Sequence, residues 1–185
     1  MNQRIFKLLL GGPLFGPLLG MSLVLACWAQ TADAKTAKVG RLSFEVKSPW
    51  FCSLEGSELV CVKTDPENPK DSNRDQLIVV TARNKTAQDS IKSFHRHLKT
   101  PKSFTAPDGV KYTGLVKYVR ERKISGKIWV DSEQYQSEVP GYVTRYFASI
   151  IGQTVVIATF SAKKDLFEDF NAETVKLVEA FKVSP

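Results

Sequence analysis

The chain has 185 residues, of which 43% are hydrophobic and 24% charged, with a formal net charge of +7. Those proportions suit one globular domain and exclude disorder, collagen and coiled coil. Two histidines and three cysteines are too few for most multi-histidine or multi-cysteine metal centres, so no metal or cofactor is expected.

The amino terminus reads as an export signal. Arg4 and Lys7 form a short basic start, an apolar run follows from Leu8 to Ala26, and Ala32-Asp33-Ala34 offers small residues for signal peptidase. Gly11, Gly12, Pro13, Gly16, Pro17 and Gly20 interrupt the apolar run, which suits a removable signal better than a permanent span. Residues 1–34 are therefore read as a signal peptide and residues 35–185 as a single domain. A second processing route is also written there: Val24-Leu25-Ala26-Cys27 resembles a lipobox, in which Cys27 would carry the lipid.

Either route leaves Cys52 and Cys61 as an even pair in an oxidising compartment, which favours a disulfide. Gly56-Ser57 reads as a two-residue turn with glycine first. That register places Glu55 opposite Glu58, Leu54 opposite Leu59, Ser53 opposite Val60 and Cys52 opposite Cys61. Counted from the turn, the cysteines fall on a non-hydrogen-bonded pair, where alpha carbons come closest. The spacing is not that of a redox Cys-x-x-Cys motif, so the bond is read as a structural staple.

Leu42, Phe44 and Val46 start a strand that stops before Ser48-Pro49, ahead of the cysteine hairpin. A Pro-, Asn- and Asp-rich loop spans 65–75, and residues 77–83 form an apolar strand. Thr86, with Asp89 three residues on, is placed to cap a helix carrying Ile91, Phe94, His95 and Leu98 at helical spacing, ended by Pro101. Strands are predicted near 110–123, 127–137, 142–151 and 154–161. The last two form a hairpin about Gly152-Gln153, with Ile150 facing Val155 and Ala148 facing Ile157. Both of its faces are apolar, so both must be covered. Phe167, Phe170, Thr174, Leu177 and Phe181 give a closing helix an aromatic stripe for one face, leaving the first helix for the other. The expected class is α+β, an antiparallel sheet flanked by helices on both faces, with an early disulfide-linked hairpin.

Phe44-x-Val46-x-x-Pro49-Trp50 near the start, and Tyr142 to Phe160 with Phe167 to Phe181 at the end, carry a likeness. This order of elements resembles the PsbP-like fold, which includes the photosystem accessory protein PsbP and bacterial DcrB-type envelope proteins. The resemblance covers nearly all of residues 40–183. It implies an accessory, assembly or chaperone-like binding role without enzymatic activity, and it transfers no site residue.

Three groups of residues offer chemistry. His95 and His97, two apart on a helix, point about 200° from each other and cannot share a metal. His95 is assigned to the apolar stripe and His97 to solvent. Asp131 and Glu133 share a strand face with Trp129 and Tyr135, a pattern seen in glycoside hydrolases and sugar-binding strips. Carboxylates alternating along a strand also form ordinary solvated faces, neutralised by Lys or Arg of a neighbouring strand. No phosphate loop, Gly-x-Ser-x-Gly elbow or His-Glu-x-x-His motif is present.

Charge is the third feature. Residues 99–127 hold Lys99, Lys102, Lys111, Lys117, Arg120, Arg122, Lys123 and Lys127 against Asp108 and Glu121, with Tyr112 and Tyr118 interleaved. Lys117, Arg120, Arg122, Lys123 and Lys127 are the expected contact surface, although strand alternation divides them between two faces. Export argues against nucleic acid as a partner, despite the basic balance. An envelope protein, or an anionic envelope polymer or lipid with peripheral membrane association, fits the compartment. The expectation is an exported non-enzymatic accessory protein of the cell envelope; the alternative is a small glycan-acting enzyme using Asp131 and Glu133 with Trp129 as a sugar platform.

Overall fold

Alternating apolar positions, punctuated by glycine turns, make the middle of this chain a succession of strands. The computed structural model describes residues 34–64, 72–105, 109–136 and 140–185. The expected signal peptide, apart from its last residue Ala34, and the candidate lipidation residue Cys27 lie outside the described residues. In order the elements are β1 (Ala34–Val39), β2 (Leu42–Lys47), β3 (Trp50–Glu55), β4 (Glu58–Thr64), β5 (Ser72–Asn84), α1 (Ile91–Lys99), β6 (Ser103–Thr105) and β7 (Lys111–Thr113). They continue with β8 (Leu115–Ile124), β9 (Lys127–Tyr135), β10 (Tyr142–Ile151), β11 (Thr154–Lys163), α2 (Phe167–Glu179) and β12 (Lys182–Val183).

Seven strands form one antiparallel sheet in the order β3-β4-β5-β11-β10-β9-β8. A smaller sheet, β1-β2-β12, and the β6-β7 ribbon complete the strand structure. The two glycine-first hairpins have the register that their turns predict: Cys52 faces Cys61, and Ile150 faces Val155. Gly56 and Gly152 hold the positive φ those turns demand, at 62° and 61°. The Cys52–Cys61 disulfide is present, its alpha carbons 4.0 Å apart.

The expected α+β sandwich with helices on both faces is not what forms. The described chain is mostly β, with only two helices, of 9 and 13 residues. One face of the large sheet is covered by α2 together with the β1-β2-β12 sheet: Val39, Leu42, Phe44 and Val46 share a core with Phe147, Phe160, Phe167 and Phe170. Sequence periodicity saw the helical stripe but not the short strands β1 and β12, because six and two residues carry too little alternation. On the other face α1 is short. Its buried Phe94 and Leu98 meet Val130, Tyr146, Ala148 and Val155 of the sheet's β9, β10 and β11, and no second helical layer forms.

The start of α1 also differs from expectation. Ser90, not Thr86, caps the helix: its hydroxyl accepts from the Ser93 amide while the Ser93 hydroxyl accepts from the Ser90 amide. Thr86 and Asp89 instead close a separate turn, in which the Asp89 carboxylate accepts from the Thr86 amide and hydroxyl and from Arg83. At the other end, Val178 takes the buried place expected of Leu177.

A run of aromatic contacts links the α2 side of the core. Phe44 meets Phe181 (4.9 Å between centroids), which meets Trp129 (6.1 Å), then Phe147 (6.4 Å), Phe160 (5.8 Å), Phe170 (6.1 Å) and Trp50 (5.5 Å). Such pairs add about 0.5–1.5 kcal/mol each beyond area burial.

Candidate functional site

Rows of side chains cross the α2-facing side of the large sheet and change character near β8. One row runs Leu59, Val80, Ala158, Phe147, Asp131, Arg120; the next runs Cys61, Ile78, Phe160, Arg145, Glu133, Tyr118. The core therefore passes directly into a polar cluster on β8, β9 and β10, roofed by α2.

Asp131 is the centre of that cluster and is fully buried. Its Oδ1 accepts from Arg145 Nε at 2.9 Å and from the Tyr118 hydroxyl at 3.3 Å. Its Oδ2 accepts from Arg145 Nη2 at 2.9 Å and from Arg120 Nη2 and Nε at 3.0 and 3.2 Å. Both oxygens are thus saturated, the condition under which a buried carboxylate is tolerated. Arg145 is itself buried; its Nη1 donates to Asn171 Oδ1 (2.6 Å) and Thr174 Oγ1 (3.0 Å) on α2. Burial works against its charge, but the hydrogen bonds and field of Asp131 outweigh it and hold the guanidinium above its ordinary pKa. Burial, then the Asp131 charge, pushes the Tyr118 phenol up to about 12. Arg120 stacks on that ring, its Cζ 4.5 Å from the centroid.

Glu133, also buried, accepts from Lys117 Nζ at 2.6 Å, and this bond holds the ammonium above its usual pKa. A bulge in β8 between Val116 and Tyr118 places Lys117 for that contact. Arg122 differs from its neighbours. Its Nη1 lies 3.9 Å from Asp131 Oδ2, beyond hydrogen-bond range, and its side chain is 40% exposed.

The expected basic surface is therefore divided. Arg120 and Arg122 stand on the α2-facing side, with Lys117 reaching Glu133 across the bulge. Lys123, registered opposite Ile128, stands on the other side, and Lys127 sits at the β8–β9 turn opposite Ile124. The expected sugar strip keeps its shared face but is buried: Trp129 is 1% exposed among Phe147 and Phe181, so it offers no stacking platform. Tyr135 is half-buried beneath the Lys117 ammonium. His95 is half-buried and His97 exposed, the latter lining a small groove of about 320 Å³ beside α1. Among the described residues no three His, Cys, Asp or Glu side chains gather to hold a metal ion.

Sequence reasoning missed Arg145, Asn171 and the acceptor role of Thr174. Arg145 had a signal: a lone charge within an otherwise apolar strand must find a buried partner. Asn171 had none, because only the packing of α2 brings it to the sheet; Thr174 lies on the helical stripe expected to face the sheet, and only its role as an acceptor for Arg145 escapes that pattern. Together β8, β9, β10 and α2 enclose an open groove of about 660 Å³ lined by Tyr118, Arg120, Arg122, Asn171, Lys176 and Glu179, among others.

Two solved structures share this fold. The solution structure of cyanobacterial PsbP (CyanoP) from Synechocystis sp. PCC 6803 aligns with a TM-score of 0.55 at 9% identity, covering 85% of this chain and 96% of that one. The crystal structure of LpqN, involved in cell envelope biogenesis of Mycobacterium tuberculosis, aligns with a TM-score of 0.53 at 13% identity, covering 85% and 88%. The chain has a PsbP-like fold. No family sequence model matches it, and no curated protein sequence does.

Proposed function

We propose that this chain is an exported, non-enzymatic accessory protein of the cell envelope, of the DcrB-type group, that binds another envelope component through the arginine-bearing groove between β8 and α2. The observation that carries the reading is the division of labour around Asp131. Arg145 is consumed in holding α2 to the sheet, whereas the Arg122 side chain stands half-exposed at the groove, 3.9 Å from Asp131 and with no side-chain hydrogen bond among the described residues. An export signal in residues 1–34 and an even cysteine pair joined as a disulfide support the compartment. LpqN, which shares the fold, is itself described as involved in cell envelope biogenesis. No described helix is long and apolar enough to cross a membrane.

The non-enzymatic part rests on the same geometry. Asp131 already accepts five donor contacts and Glu133 is held by Lys117, so neither is poised as a general acid or nucleophile. Crosslinking the tagged, exported protein in intact envelopes tests the reading: one dominant component should be enriched over an unrelated exported control, and no enrichment would overturn it. Purified sacculi supply the second test. Release of soluble glycan by the wild type, lost in an Asp131→Asn variant that circular dichroism shows to remain folded, would establish the enzyme instead.

A further inference from the structure

Among the side chains around the β8–α2 groove, unspent hydrogen-bond donors outnumber free acceptors. Arg145 Nη1 donates to Asn171 Oδ1, which fixes the amide orientation and leaves the Asn171 Nδ2 group, a donor, as the side not used by Arg145. Arg120 spends Nε and Nη2 on Asp131 and keeps Nη1, on a side chain 54% exposed. Arg122 spends none of its side-chain donors on a hydrogen bond among the described residues, and Lys176 adds an ammonium from α2. The acceptors are fewer. Asp131 is saturated, Glu133 is engaged by Lys117, and Glu179 is the one further carboxylate lining the groove. Five cations (Lys117, Arg120, Arg122, Arg145 and Lys176) thus face three carboxylates, and the surplus is of donors as well as of charge.

A ligand that complements surplus donors must bring acceptors only, and guanidinium forks match tetrahedral oxyanions bidentately. We infer that the groove is a binding site for a phosphate-type oxyanion, taken up chiefly by Arg122 with Arg120 Nη1, Asn171 Nδ2 and Lys176. Arg120 is stiffened by its bonds to Asp131 and its stacking on Tyr118, so little of its freedom is lost on binding. This inference deepens the proposed function and rests on the same groove, naming a phosphorylated group as what the envelope component presents. That group could belong to a lipid headgroup or to a soluble phosphate ester.

Titration of the full-length protein with inorganic phosphate at constant ionic strength, followed by amide NMR, tests it. Shifts are expected at residues 118–122 and 171–176. Arg122→Gln should weaken binding by roughly tenfold or more, since a bidentate charged contact is lost. Lys123→Gln, on the opposite sheet face, should change it by less than about twofold, the size of general screening. No shift beyond that caused by chloride, or equal weakening by both variants, would overturn the site. Phosphatidylglycerol vesicles identify the source: retention by the wild type but not by Arg122→Gln places the phosphate on lipid, whereas binding of free phosphate without retention places it on a soluble ester. Failures separate cleanly. If Arg122→Gln loses phosphate but keeps its envelope crosslink, the contact surface of the proposed function falls and the anion site stands. If the crosslink depends on Arg122 and phosphate never binds, the anion site falls alone.

Discussion

Arg145 and Asp131 lie diagonally across the β9–β10 pair, joined by two parallel bonds of 2.9 Å with side chains 5% and 0% exposed. Arg145 is registered opposite Glu133, and Asp131 opposite Phe147, so the pair bridges adjacent rows of the sheet. Through Asn171 and Thr174 the same guanidinium ties α2 to β10.

Breaking a buried pair from one side leaves an uncompensated charge, a loss of about 3–5 kcal/mol. Asp131→Asn is expected to destabilise by that amount in urea unfolding. Arg120→Gln removes a half-exposed partner of the same carboxylate and should cost under about 1 kcal/mol. Equal costs for the two variants would mean that the inner arginine has no special role.

Asp89 accepts from Arg83, Thr86 N and Thr86 Oγ1, and these bonds, the Arg83 contact foremost, hold its pKa below the usual carboxylate range. A depressed folded pKa means that the unfolded chain takes up the proton first, so this contribution is complete above about pH 4, the unfolded value, and fades as pH falls below it. Asp89→Asn should therefore be less stable than wild type at neutral pH, with the gap in urea midpoint narrowing steadily below about pH 4. A gap independent of pH would contradict the assignment.

The Cys52–Cys61 bond closes a short loop, its ends nine residues apart. Loop-closure entropy for that length is about 2–3 kcal/mol. The double variant Cys52→Ala/Cys61→Ala should lose that much stability while keeping the β3–β4 register, which backbone pairing and the Gly56 turn set on their own. Loss of the hairpin amide pattern in NMR would show that the disulfide dictates the register.

What the sequence made legible follows physical range. Two-residue turns act locally, so the hairpins about Gly56 and Gly152 were readable to the residue, and with them the cysteine pairing. The aromatic stripe of α2 was readable because its period is local too. The cover over the sheet was not: β1, β2 and β12 assemble from opposite ends of the chain, with Val183 paired to Leu42. At the site, Asp131 and Glu133 stood out by alternation, and their neutralisation by β8 was foreseeable. The inner partner Arg145 required the β9–β10 register, and Asn171 required the seat of α2, both long-range relationships. Thr86 misled because a Thr-x-x-Asp spacing serves an isolated turn as well as a helix cap, and Ser90 was available to cap.

The most direct measurement compares two neighbours on β8 that face opposite sides of the sheet. Arg122→Glu and Lys123→Glu change the net charge identically, so a difference between them reports position and not charge. Crosslink yield to the envelope component from intact cells should fall severalfold in Arg122→Glu and stay near wild type in Lys123→Glu. Equal yields for the two variants, whether both retained or both lost, would contradict the arginine groove as the contact surface.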